Sequence, residues 1–126
     1  MAAVTITSFG YGHAAAPEAH IVLDLRTHFR DPHVSPELRH MTALDGPVRT
    51  AVLNTPGVIP LVDALAAGVM ALMAGPSAGP VAVAVGCVGG RHRSAVIADV
   101  LQLVLDDHDI AAEVQHRDLH RPVIRR

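Results

Sequence analysis

The sequence predicts an α/β domain, a three-layer sandwich built on a mostly parallel sheet of about four strands. The chain has 126 residues, of which 50% are hydrophobic and 17% are charged, so it is long enough for one folded domain and too apolar to be disordered. Short apolar runs alternate along it with longer ones, as strands alternate with helices in this class. Residues 81–85 are apolar at every position, which is typical of a strand buried on both faces of a parallel sheet.

Four segments are predicted to be strands. In the first, Val4 and Ile6 alternate with threonines, which is the two-residue period of a strand. Two glycines follow it, so residues 9–13 are expected to form a loop. The second strand contains the apolar run at residues 21–23, and the last strand is short. The predicted strands are residues 3–8, 19–25, 81–85 and 111–115.

Three helices are predicted between the later strands. A short one begins at Pro47, because proline suits the first helical turn, and residues 55–57 end it. The clearest helix covers residues 58–74 and is apolar nearly all round, which favours burial on several sides or a subunit contact. The third covers residues 93–107. Because the two apolar helices carry more non-polar surface than one thin sheet covers, we expect a homo-oligomer.

Composition excludes several classes of protein. All ten basic residues are arginine, and the net charge is −2, so the chain lacks the strongly basic character of most nucleic-acid binders. Cys87 is the only cysteine, which excludes a disulfide framework and a cysteine-rich zinc site within one chain. A lone cysteine suits a reducing cytoplasm, where we expect the protein to be.

No membrane span, secretory signal or metal site is expected. The longest apolar stretch, residues 58–74, contains Asp63 and is too short for a confident span. The first residues have no charged region typical of a signal peptide. The nine histidines match no standard metal-ligand spacing, and no cofactor is predicted.

The segment after the third strand carries the clearest chemical signal. There a buried strand leads through residues 86–92 into an apolar helix. The first N–H groups of a helix have no partners within it, and the helix dipole places partial positive charge there, so this position binds anions. Gly89 and Gly90 let the backbone N–H groups converge on phosphate oxygens, and Arg91, His92 and Arg93 add charge. We name residues 86–94 the ligand loop.

The same loop permits a second interpretation, as an enzyme. The spacing Cys87-x5-Arg93-Ser94 resembles the loop of cysteine-dependent phosphatases, although Gly86 replaces the histidine that precedes the nucleophile there. Cys87 would attack phosphorus and Arg93 would grip two phosphate oxygens. Asp31 or Asp24 would have to serve as the general acid. The alternative to both functions is that Cys87 is a small buried hydrophobe. In that case Arg91 and Arg93 are solvated or form an ion pair with Asp24 or Asp31.

A long irregular segment, residues 27–46, precedes the first helix. Twenty residues without clear periodicity are uncommon in a compact domain unless they bind something. Asp24 and Arg26 lie just before it at a strand end, beside the crevice where ligands sit in open α/β sheets. They are candidates for contact with the ligand or for an ion pair that orders the long segment.

Taken together, the motifs resemble the RapZ C-terminal domain family over nearly the whole chain, which we take as one domain, residues 1–126. Full-length members of that family carry an N-terminal P-loop nucleotide-binding domain in addition. The segments that carry the resemblance are residues 6–12 (ITSFGYG), 22–26 (VLDLR), 31–33 (DPH), 36–39 (PELR), 41–48 (MTALDGPV), 86–94 (GCVGGRHRS) and 116–119 (HRDL).

This resemblance implies a regulatory domain that binds a phosphorylated small molecule, such as glucosamine 6-phosphate, or a nucleotide, with phosphate or sulfate as simpler ligands. It also implies contact with small RNA and self-association as a dimer or tetramer. A nucleotide-binding protein acting in trans is a further expected partner. The implied ligand contacts are His33, Cys87, Val88, Gly89, Gly90, Arg91, His92, Arg93 and Ser94.

The candidates for RNA contact lie in the basic tail, residues 117–126. They are Arg117, Arg121, Arg125 and Arg126. The alternative for this tail is a solvated and partly disordered end. Few aromatic side chains are present for bases to stack on, with one tyrosine, two phenylalanines and no tryptophan.

Overall fold

The computed structural model describes residues 2–77 and 79–125. It confirms an α/β fold with four parallel strands and three α-helices. The elements in chain order are β1 (Val4–Gly10), β2 (Ile21–Asp24), a 3-10 turn (Pro32–Val34), α1 (Gly46–Leu53), α2 (Val58–Met73), β3 (Val81–Cys87), α3 (Arg93–Asp107) and β4 (Ala112–His116).

The strand order β2-β3-β1-β4 determines where the helices lie. The connections from β2 to β3 and from β3 to β4 run in the same direction across the sheet, so right-handed crossovers place their helices on one face. There α2 packs on α3, and α3 packs on β1, β3 and β4. The connection from β1 to β2 runs the opposite way, so the same rule places residues 11–20 on the other face. The sheet therefore lies between the helical layer and this segment.

Alternation along the strands separates the two faces. Val4 and Ile6 of β1 are fully buried beneath the helices, whereas the threonines between them are only partly buried. Val81 and Val83 occupy the matching positions in β3, since Val4 pairs with Val81 and Ile6 with Val83. The period-two pattern of the sequence thus reports directly which side chains form the core.

Strands β1 and β3 continue two residues beyond their predicted ends. Phe9 pairs with Gly86, and Gly10 pairs with Cys87. The expectation that Phe9 and Gly10 form a loop is therefore wrong. The pairing continues because residue 86 has no side chain: a Cβ there would lie 2.4 Å from Cζ of Phe9. The longer pairing brings the end of β1 alongside the start of the ligand loop.

A polar chain also joins β1, β4 and α3. The Ser8 hydroxyl lies 2.6 Å from Nδ1 of His116, and Nε2 of His116 lies 2.9 Å from a carboxylate oxygen of Asp99. Arg49 of α1 reaches the other oxygen of Asp99 at 3.3 Å. Ser8 is fully buried. The contacts of Ser8, His116, Asp99 and Arg49 connect β1 to β4, α3 and α1.

Helix α2 buries one side and exposes the other. Its side chains Val58, Val62 and Val69 are almost fully buried, whereas Ile59 and Leu72 are 47% and 45% exposed. The oligomer expected from this apolar surface stays a prediction. No single helix in the described residues is long and apolar enough to cross a membrane; α1 and α2 reach that length only together, with an 83° bend between them.

Candidate functional site

The ligand loop begins where β3 ends and closes against the end of β1. The backbone passes so near that a Cβ on Gly10 would lie 2.5 Å from the carbonyl carbon of Gly89 and 2.8 Å from the nitrogen of Gly90. Gly90 has a φ of 75°, in the left-handed region that favours glycine. Tyr11 and Gly12 donate their N–H groups to the carbonyls of Cys87 and Val88. These contacts hold the loop in a tight arch above the sheet.

Asp118, after β4, supports this arch from behind. Its side chain is only 1% exposed, and one carboxylate oxygen accepts the Gly10 N–H at 2.8 Å. The guanidinium groups of Arg117 and Arg121 lie 2.9 and 3.1 Å from the carboxylate. Burial opposes the charge, but the hydrogen bonds from Gly10 and Arg117 and the positive charge of Arg117 outweigh it, so the pKa of Asp118 is lowered.

The Cys87 sulfur lies at the base of the loop and is held by polar groups. The hydroxyl of Ser94 is 3.1 Å from it, and the N–H of Gly90 points at it from 3.3 Å. The side chain is 3% exposed, so it is reached only from within the site. The structure therefore places the predicted cysteine and serine in direct contact.

Arg93 has a different environment from the one its motif suggests. Its side chain is 2% exposed, and one guanidinium nitrogen donates to the Leu25 carbonyl at 2.7 Å. The other lies 3.2 Å from a carboxylate oxygen of Asp31. The structure thus joins Arg93 to both ends of the segment between β2 and the 3-10 turn, and its partner is Asp31 rather than Asp24. A direct ligand contact by Arg93 stays a prediction.

Arg91 and His92 dock the long segment onto the loop. Nε2 of His92 lies 2.8 Å from the Met41 carbonyl, and the Ala43 N–H donates to the Arg91 carbonyl at 2.8 Å. The Arg91 guanidinium donates to the carbonyls of His40 and Arg121. Burial lowers the pKa of His92 and outweighs the effect of the carbonyl of Met41, which raises it.

A small, partly open cavity lies between the loop, the long segment and the C-terminal residues. Its volume is about 10 Å³, room for about one water molecule. Five predicted site residues line it: His33, Cys87, Gly89, Arg91 and His92. Asp31, the predicted alternative acid, lines it as well, and so do Arg39, Val123 and Ile124.

Several predicted residues lie elsewhere. Asp24 and Arg26 form an exposed pair at 2.7 Å, and the Arg26 guanidinium lies 3.8 Å from the centre of the Tyr11 ring. The hydrogen bond from Arg26 lowers the pKa of Asp24. Neither residue lines the cavity. Their ion pair matches the alternative of ordering the strand end, and a ligand contact by either stays a prediction. Three predicted residues of the ligand loop do not line the cavity either: Val88, Gly90 and Ser94. Gly90 and Ser94 contact the Cys87 sulfur, and Val88 is part of the loop backbone.

The tail arginines are only partly available for RNA. Arg117 donates to the carbonyls of Ala14 and Ala15, and both Arg117 and Arg121 share the carboxylate of Asp118. Arg125 is exposed, and Arg126 lies outside the described residues. Within residues 2–77 and 79–125, no three His, Cys, Asp or Glu side chains are close enough together to hold a metal ion.

Sequence reasoning missed four residues of the site. Arg39, Val123 and Ile124 line the cavity, and Asp118 positions the loop. Arg39 and Asp118 are both within segments that carry the family resemblance, at residues 36–39 and 116–119, so the resemblance was an available signal for them. No sequence feature predicts that Val123 and Ile124 line the cavity, since two apolar residues are common in the terminal segment of a domain.

Comparison with known proteins shows the family of the chain. The family model described as RapZ C-terminal domain matches residues 2–120. The chain is 37% identical over 119 residues to a nucleotide-binding protein of Thermobifida fusca, with 92% of this chain and 40% of that protein covered. It is 37% identical over 123 residues to one of Rhodospirillum rubrum, covering 93% and 37%, and 38% identical over 117 residues to one of Alkalilimnicola ehrlichii, covering 90% and 40%. The chain thus spans about two fifths of these relatives.

Proposed function

The chain belongs to the RapZ C-terminal domain family, and from this premise we propose that it is a regulatory domain that binds a phosphorylated small molecule at the ligand loop. The ligand class is a nucleotide or a sugar phosphate such as glucosamine 6-phosphate. The names of the relatives, all nucleotide-binding proteins, support this class. A nucleotide-binding protein acting in trans is a further expected partner in this proposal.

One observation carries the proposal: basic side chains from two segments converge on the start of a helix at one cavity. His33 and Arg39 come from the long segment and Arg91 from the ligand loop. Helix α3 begins at Arg93, and His92 at its N-cap makes no side-chain capping hydrogen bond. The first N–H groups of the helix thus lack the usual side-chain acceptor, and a phosphate oxygen is a good substitute.

The charges around the cavity favour an anion over a neutral ligand. Asp31 is the acidic residue in the lining, and its carboxylate lies 3.2 Å from Arg93. The guanidinium groups of Arg39 and Arg91 are planar donors that match the oxygens of a phosphate. In this structure both guanidinium groups donate to neutral acceptors. Arg39 donates to the His33 carbonyl, and Arg91 donates to the carbonyls of His40 and Arg121.

The test is a thermal-shift comparison of inorganic phosphate, sugar phosphates and nucleotides on the wild type and on Arg39→Gln. A true ligand at about ten times its Kd is expected to raise the melting temperature by roughly 4–7 °C. Arg39→Gln removes the charge from the cavity wall and is expected to abolish most of the rise.

Arg30→Gln is the matched control, because Arg30 is an exposed arginine of the same segment that does not line the cavity. It should respond to ligand as the wild type does. The proposal fails if no phosphorylated compound raises the melting temperature. It also fails if Arg39→Gln and Arg30→Gln respond equally.

A second candidate function, a cysteine-dependent phosphatase, is favoured by the sulfur contacts. The Ser94 hydroxyl and the Gly90 N–H both reach the Cys87 sulfur. In this reaction the thiolate attacks phosphorus, the alcohol leaves with a proton from a general acid, and water then hydrolyses the cysteinyl phosphate. Asp31 or His33, which line the same cavity, would hold that proton.

The variant Cys87→Ser separates the two functions. For a binding domain, it should leave the ligand-dependent melting shift within about 2 °C of the wild type, because serine keeps the shape and a hydrogen-bonding atom. For a phosphatase, it should abolish phosphate release from a phosphomonoester while binding persists. Absence of any phosphate release by the wild type would exclude the enzyme.

A further inference from the structure

The last residues of the described chain lie across the ligand cavity, and we propose that residues 121–124 are a lid that Arg91 latches shut. The lid must move before a phosphate can reach the ligand loop. The ligand named here rests on the proposed function, but the lid itself is a property of the ligand-free protein and is tested without any ligand.

Two cavities on either side of the lid show what it separates. The inner one holds about 10 Å³ and includes Cys87 in its lining. The outer one is an open cleft of about 350 Å³. His33, Arg39, Val123 and Ile124 line both. These four side chains therefore form the partition, and an anion larger than water enters the inner cavity only if part of the partition moves.

The two halves of the partition are held very differently. Arg39 donates from Nε to the His33 carbonyl, and the N–H of His33 donates to Asp31. Val123 and Ile124 lie outside any helix or strand. Among the described residues, the last backbone hydrogen bond along the chain runs from the Arg121 N–H to the Asp118 carbonyl. The C-terminal half is thus the half that can swing.

Ile124 closes the partition by packing rather than by hydrogen bonds. Its side chain lies over Gly12, so that a Cβ at residue 12 would come within 3.2 Å of the Cδ1 atom of Ile124. Side chains Val123 and Ile124 are partly buried, which is consistent with a segment that rests on the surface. Segments with few buried contacts are those that open locally at low cost.

Arg91 is the latch. One of its guanidinium nitrogens donates to the Arg121 carbonyl at 2.9 Å, and the other donates to the His40 carbonyl at 2.8 Å. A single side chain thus ties the C-terminal segment to the long segment across the cavity. Both acceptors are neutral, and a phosphate anion is a stronger acceptor for a guanidinium group. A bound phosphate therefore competes for Arg91 and loosens the lid, which transmits occupancy to the C-terminal surface.

The single cysteine provides a direct readout of opening. Cys87 is 3% exposed at the base of the inner cavity, so its alkylation by iodoacetamide requires the lid to open. We would follow alkylation of the full native chain by mass spectrometry. The double variant Val123→Ala/Ile124→Ala is expected to react about tenfold faster than the wild type, because its lid loses most of its packing. Arg91→Ala is expected to accelerate alkylation as well.

Leu103→Ala is the matched control. Leu103 is 57% exposed on α3 and does not line the cavity, so its truncation removes a similar apolar side chain without touching the lid. The free energy of unfolding of each variant in urea, measured alongside, separates lid opening from global unfolding. Wild-type reactivity of the double variant would overturn the lid, as would acceleration that merely follows the loss of global stability. If alkylation supports the lid but no phosphorylated compound raises the melting temperature, the proposed function is refuted and the lid stands.

Discussion

Arg93 and Asp31 lie 3.2 Å apart, and the arginine is 98% buried, since only 2% of it is exposed. The residue that the Cys-x5-Arg spacing suggests as a phosphate clamp is in this structure the anchor of the long segment. It donates to the carbonyls of Leu25, Arg26 and Phe29 in addition to its pair with Asp31. The Arg93 side chain thus fixes the position of the long segment, and a direct contact with ligand stays a prediction.

Replacing Arg93 should cost stability before it reveals anything about binding. Arg93→Ala leaves the Asp31 carboxylate without its ion-pair partner and the Leu25 carbonyl without this donor. We therefore expect a loss of about 3–5 kcal/mol in the free energy of unfolding. Urea denaturation measures it. Arg30→Ala, at an exposed arginine, should change stability by less than about 0.5 kcal/mol. Equal effects of the two substitutions would contradict the anchoring role.

Gly10 should tolerate no side chain. A Cβ there would lie 2.5 Å from backbone of Gly89, so Gly10→Ala must displace the ligand loop. We expect a loss of about 2–3 kcal/mol in stability and loss of any phosphate-induced melting shift. Gly46→Ala is the control, because nothing lies within 4 Å of its Cβ position and alanine favours the first turn of α1, which should stabilise the protein by up to about 1 kcal/mol.

Asp118 should act as a positioning residue for the loop. Asp118→Asn keeps the size of the side chain but removes the charge that Arg117 and Arg121 share, so we expect a loss of about 2–3 kcal/mol in urea denaturation. Because the lowered pKa of Asp118 favours its ionised form in the fold, part of this stabilisation should disappear as pH falls through the ordinary value of 3.8. Asp63→Asn on the exposed side of α2 should have little effect; a similar loss there would argue against a special role for Asp118.

His92 should make stability depend on pH in the same direction as Asp118 but closer to neutral pH. Its pKa is lowered from the ordinary 6.5, mainly by burial, so the fold favours neutral imidazole while the unfolded chain takes up a proton more readily. Stability from His92 is therefore present above 6.5 and is lost as pH falls through that value. His92→Gln should lose less stability than the wild type between about pH 8 and about pH 5. Parallel pH curves for the two proteins would refute this assignment.

The local patterns predicted most of the elements because each pattern depends on neighbours in sequence. The third predicted helix, residues 93–107, matches α3 at both ends, and alternation in β1 identified the buried side of that strand. Pairing between distant strands was not predictable in the same way. Gly10 was expected to be in a loop because two glycines favour one, whereas its place in β1 depends on Cys87 lying opposite.

The residues of the candidate site differ in the same way: a local pattern predicted some of them, and distant parts of the chain determine the role of the others. The order strand, glycine-containing loop and helix predicts an anion site at the ligand loop, and four of the residues named for it, Cys87, Gly89, Arg91 and His92, line one cavity. A pair of Arg93 with Asp31 was one of the alternatives open from the sequence. The carbonyl contacts of Arg93 could not be predicted, because those acceptors belong to residues 64 to 68 positions away along the chain. Val123 and Ile124 carry no local pattern at all, and only their position over the loop gives them a role.

The sequence by itself determined the α/β class, the parallel strand at residues 81–85 and the position of the loop that follows it, since hydrophobic periodicity and glycine placement are encoded residue by residue. The tertiary structure decided which charged groups pair, that Asp118 supports Gly10 across 108 positions, and that Val123 and Ile124 line the cavity. The physical reason is that a charge or an apolar side chain takes its role from what surrounds it. Those surroundings are assembled from distant parts of the chain only when it folds.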